Sequence, residues 1–201
     1  MSNSENFESY NLDDEENEIK RQTMWRLVPQ VMTMPTSGWE RLKLRGPIPE
    51  IAILRYLLPI SLMAGAAEFF SLLYPGQAEF SSLLVAGVIN FCSYFIGYFL
   101  ALIFASIFLP KIARGFPGTS YGKLLTMTGV STLAIFRILY KAFPMLDFVF
   151  EFLPIWTIFL VYKGMAIAGI EREKAAFAMG AMCLVVIACP VLVAWAFSLF
   201  V

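Results

Sequence analysis

The sequence predicts an all-α, polytopic membrane protein: a bundle of about five transmembrane helices behind a disordered acidic N-terminal tail. Composition is the first observation behind this. Hydrophobic residues make up 59% of the 201 and charged residues 15%, against roughly 45–50% and 25% in soluble domains. The charges also cluster, crowding residues 5 to 50 and returning in short patches between long apolar runs. There is no histidine.

Residues 1–22 form the tail. Glu5, Glu8, Asp13, Asp14, Glu15, Glu16 and Glu18 precede the first base, Lys20. A like-charge run of low hydrophobicity predicts disorder. It lacks the basic start and apolar stretch of a secretory signal. The plain role is solubilising, and the sharper one is docking to a basic partner.

Residues 23–49 are an interfacial amphipathic segment by their pattern. Trp25, Val28 and Met32 recur at helical spacing, and Trp39 and Leu42 stand beside Arg41, Lys43 and Arg45. Aromatic and basic side chains together suit the headgroup layer, so Trp39, Arg41 and Lys43 are candidate anchors. Packing against the membrane domain is the alternative.

Residues 50–201 hold the membrane domain. A helix needs about 20 apolar residues to cross a hydrocarbon core of about 30 Å. Five segments qualify, at 51–74, 83–109, 124–140, 148–170 and 176–200, the third being the least apolar. Turn signals separate them: Tyr74-Pro75-Gly76, Pro110, Gly115 with Pro117, Phe143-Pro144, and the charged run Glu171 to Lys174. With the tail in the cytoplasm, the inner side holds Arg41, Lys43, Arg45, Lys111, Arg114, Lys123, Arg172 and Lys174, and the outer side only Lys141. Short loops rich in Lys and Arg stay inside, so the N-terminus is expected in the cytoplasm and the C-terminus outside.

Charges at membrane depth are costly and mark candidate sites. At 1.5 Å per residue, Glu68 lies about 9 Å outward of the midpoint of its span and Arg137 about 7.5 Å outward of its own. An intramembrane ion pair between Glu68 and Arg137 is therefore expected, as structural glue or as a proton or substrate site. Arg55 and Lys163 lie about 10 Å and 6 Å inward of their midpoints with no acid at that level. They are candidate lipid-facing charges that snorkel to phosphates, or partner-facing ones. Small residues spaced by four, namely Gly97, Ala101 and Ala105, then Gly164 and Ala168, predict close helix packing. Pro59 and Pro190 are expected to kink their helices.

Catalytic, metal and cofactor sets are not expected. Without histidine the usual general base, haem ligand and zinc ligand are missing. Cys92, Cys183 and Cys189 sit in apolar runs without a paired CxxC spacing and read as small hydrophobes. Aspartyl catalysis needs two acids, and Asp147 is the one Asp near a span. No phosphate-cradling glycine motif occurs. A formal net charge of zero gives no basic footprint for nucleic acid. The expected partners are the lipid bilayer and other membrane or cytoplasmic proteins.

From residue 35 onward the chain resembles the Yip family, whose hallmark is the Ypt/Rab-interacting-protein domain, and especially its bacterial branch. Pro35 and Trp39-Glu40-Arg41 carry the resemblance at the entry, with Arg55-Tyr56-Leu57-Leu58-Pro59 opening the first span. Gly118-Thr119-Ser120-Tyr121 entering the third span, Tyr162-Lys163-Gly164-Met165 and Glu171-Arg172-Glu173-Lys174-Ala175 complete it. The family implies five spans, a cytoplasmic N-terminus and no catalytic residues. Its eukaryotic members bind prenylated Rab-type GTPases and organise vesicle traffic. The third span departs from the pattern: Gly129 to Ala134 lacks the proline that relatives often place there, so no bend is carried over. The expected function is a non-enzymatic scaffold or adaptor, with a transporter or transport subunit as the alternative.

Overall fold

The computed structural model describes residues 23–74, 79–112, 118–150, 152–168 and 172–200. The acidic tail and parts of four connections lie outside the described residues. Helices account for nearly all of the rest. α1 spans Met24–Thr33, α2 Pro35–Arg45, α3 Glu50–Ala66, α4 Phe80–Ile112 and α5 Gly118–Ala142. A single turn, α6 at Asp147–Phe150, precedes α7 at Leu153–Ala168 and α8 at Arg172–Ser198. Short 3₁₀ stretches follow α3 at Ala67–Leu73 and precede α6 at Pro144–Leu146.

Four of these helices are long and apolar enough to cross a bilayer: Glu50–Leu73, Phe80–Lys111, Ser120–Ala142 and Ala176–Ser198. The third, least apolar by sequence, is a full helix and the most enclosed. Over its most apolar stretch α5 is 67% buried, against 33% for α4 and α8. A central helix faces protein rather than lipid, so it can hold Thr126, Thr128, Ser131 and Thr132 without exposing them to hydrocarbon. That explains its low hydropathy. The shortfall falls instead on the fourth segment, where 148–170 is not one helix. α6 ends at Phe150, and Pro154, in the first turn of α7, suits a new start. The 16 residues of α7 cover about 24 Å.

The core runs through the bundle from Leu57 and Ile60 on α3 through Leu125, Met127 and Val130 on α5 to Leu160 and Met165 on α7. The most extensive helix contact joins α4 to α8. Gly97 allows it: a Cβ there would lie 2.8 Å from Pro190 Cα. Ala101 and Ala105 continue the same face of α4 and are buried. Both helices run on through their prolines, Pro59 in α3 and Pro190 in α8.

α1 and α2 form a tight helical hairpin on one end of the bundle. Met24, Leu27, Val28, Val31, Trp39 and Leu42 are buried against the bundle and each other. Gly46 ends α2 with φ 77°, a conformation that a Cβ disfavours. The apolar face that the buried residues make packs on protein, while Trp25 is left exposed. At the same end, exposed Glu50 on α3 meets Lys123 on α5 at 2.6 Å.

Candidate functional site

Two polar centres occupy opposite ends of the bundle. The first is built around Glu68, the second residue of the 3₁₀ stretch that extends α3, whose side chain is 3% exposed. Its Oε1 accepts from Arg137 Nη2 at 2.6 Å and Nε at 3.1 Å, and from Asn90 Nδ2 at 2.6 Å. Lys141 Nζ lies 2.7 Å from the other oxygen, Oε2. The Tyr140 ring stacks 5.5 Å from the Arg137 guanidinium. A buried carboxylate is costly unless charge and hydrogen bonds surround it, and Glu68 has both on each oxygen or beside it.

The structure thus brings Glu68 and Arg137 together and adds two residues that hydropathy reading passes over. Lys141 stands one turn after Arg137, so the spacing of four already puts both cations on one face of α5. Counting it only as a loop charge hid that role. Asn90 is an amide within the otherwise apolar run of α4, and such a residue is a recognisable interhelical donor.

Beside this cluster lies a cavity of 290 Å³ between α4, α5, α7 and α8. Asn90, Ser93, Tyr94, Arg137 and Tyr140 form its polar wall. Pro154, Ile187, Val191 and Ala194 form much of its apolar wall.

The second centre holds the hairpin. Trp39 is fully buried, and its indole Nε1 donates to Leu160 O at 2.9 Å. Gly164 makes this possible. A Cβ there would lie 2.7 Å from the Trp39 ring and 2.5 Å from Leu125 Cδ2. The missing side chain also leaves the α7 backbone open, so Gly164 O accepts from the Tyr121 hydroxyl at 2.7 Å. Lys43 Nζ donates to Ile167 O at 2.9 Å, among the last α7 carbonyls that lack helical partners.

Trp39 is therefore not a headgroup anchor, which corrects the expectation from its basic neighbours. A Trp at a membrane interface and a Trp docked on a helix share one chemistry, an apolar ring with a single N–H. Here the carbonyl beside Gly164 satisfies that N–H. Lys43 is exposed but held as a helix cap, and Arg41 is half-buried on the same helix. Gly164 serves the hairpin as well as the contact with Leu125 on α5, and Ala168 one turn on is buried. Arg55 is exposed, and Lys163 lies 5.6 Å from the Phe159 ring centroid. Neither forms an ion pair among the described residues.

No curated protein and no solved structure matches the chain. The Yip1 domain family matches it over residues 30–196, a range that takes in α2, both polar centres and all but the last two residues of the spans. With apolar helices of spanning length and that match over most of its length, this chain is an integral membrane protein of the Yip1 domain family.

Proposed function

We propose that the protein is a non-enzymatic scaffold or adaptor of the bacterial inner membrane, with its N-terminus in the cytoplasm and its C-terminus outside. It recruits a protein partner through the cytoplasmic end of the bundle and the acidic tail. The observation that supports this reading is the α1–α2 hairpin, locked on the bundle by Trp39 and Lys43. A docked platform needs no further ordering when a partner arrives, which lowers the cost of association.

Co-purification from native membranes, with the full chain and with residues 1–22 deleted, tests the proposal. A partner retained by the full chain and lost on deletion supports it, and no partner in either case overturns it. A topology reporter fused after residue 201 tests the orientation, which a cytoplasmic signal would reverse.

Transport is the second reading. It is favoured by the cavity beside Arg137 and by the buried hydroxyls of Ser61, Thr128 and Thr157, which have no hydrogen-bond partner among the described residues. Replacing Glu68 and Arg137 together by Gln discriminates the two. A scaffold keeps its partner in that variant, whereas a transporter loses flux.

A further inference from the structure

The Glu68 centre is not balanced in charge. Arg137 and Lys141 both contact Glu68, and it is the one carboxylate that touches them among the described residues. Among the described residues, one positive charge of this contact cluster is left over. Arg137 also has unused donors, because Nε and Nη2 serve Glu68 while Nη1 bonds to nothing among the described residues. The side chain is 32% exposed, and it forms part of the cavity wall. A guanidinium with one edge pinned and the other edge open into a cavity is pre-organised for a second anion.

The shape of the cavity indicates which kind of anion. Pro154 and Val191 line it and are also exposed on the apolar outer surface of the helices. A soluble anion would have to enter across hydrocarbon, whereas an anion carrying acyl chains would already lie there. Arg137 lies five residues before the end of α5 at Ala142, about 7.5 Å inside that end. That is the depth at which a lipid phosphate can meet an arginine that reaches toward the interface. At 290 Å³ the cavity is near the low end of ligand pockets, about 300–1,000 Å³. It suits a headgroup, with the chains left outside.

We propose that this cavity binds the headgroup of an anionic phospholipid, its phosphodiester seated on the free edge of Arg137 and its acyl chains leaving past Pro154 and Val191. The single negative charge of the phosphodiester offsets the surplus positive charge of the Glu68–Arg137–Lys141 cluster. Tyr140 holds the guanidinium plane from one side. The site is independent of the hairpin and of the scaffold reading.

The test uses the full chain purified in detergent and titrated with phosphatidylglycerol or phosphatidylcholine, bound lipid being counted by native mass spectrometry. The wild type is expected to retain phosphatidylglycerol about tenfold better, as one charge-assisted hydrogen bond would supply. Val191→Trp and Ala194→Phe fill the cavity without touching Glu68, and each should erase that preference while circular dichroism shows unchanged helix content. Arg137→Lys keeps the charge but loses the fork and should reduce the preference. Equal retention of the two lipids by the wild type overturns the proposal, as does a preference that survives both cavity-filling variants. Glycerol phosphate protecting the protein from thermal unfolding as well as phosphatidylglycerol does would assign the site to a soluble anion, and overturns it too.

Discussion

The indole of Trp39 lies where the side chain of residue 164 would be, and Gly164 is the reason it can. This contact joins α2 to α7 across more than half the chain and brings the indole N–H to the carbonyl of Leu160. Gly164→Ala should therefore displace the ring. The expected loss is about 1–3 kcal/mol, as for overpacking of a tight core. It should appear as a lower melting temperature in detergent and as faster proteolysis within residues 23–45. An unchanged melting temperature would mean that Trp39 is not held by this notch.

Trp39→Phe is a gentler probe of the same contact. It keeps most of the ring area and removes the hydrogen bond to Leu160 O, which should cost about 1 kcal/mol. A loss as large as that of Gly164→Ala would show that the N–H, and not the fit of the ring, dominates.

Glu68→Gln leaves Arg137 and Lys141 facing each other without their carboxylate. Breaking a buried pair costs about 3–5 kcal/mol, but both cations are partly exposed here, at 32% and 23%. Screening lowers the expected loss to about 2 kcal/mol. Thermal unfolding in detergent measures it, and a neutral effect would remove the cluster from the forces that hold α3 to α5.

Charge reversal behaves differently in this cluster from a simple pair. Glu68→Arg with Arg137→Glu restores one contact but sets the new arginine against Lys141. Rescue is expected only when Lys141→Met is added. Full rescue by the double swap alone, read from expression and melting temperature, would show that Lys141 does not engage residue 68.

Gly97→Val pushes α4 away from α8, because even the Cβ would lie 2.8 Å from Pro190 Cα. That backbone cannot yield as a flexible side chain can, so the loss should be about 1–3 kcal/mol or more. The same change at exposed Gly180, whose Cβ would meet nothing within 4 Å, is expected to cost less, and the comparison of melting temperatures isolates the packing effect.

Composition and spacing alone settle that the chain is helical and lives in a bilayer, because long apolar runs have no other stable solvent. They also place Glu68 and Arg137 at matching depth, since depth follows from counting residues along a helix. Packing decides the rest. Whether Trp39 meets lipid or Gly164 depends on a partner helix more than 120 positions away in the chain, and amphipathic spacing is the same in both cases. Whether Glu68 has one cation or two depends on how α3 turns against α5, which counting along either helix leaves open. The enclosure of α5 belongs to the same class: low hydropathy in a span signals either a poor span or a central one, and only its neighbours, α3, α4, α7 and α8, make it central.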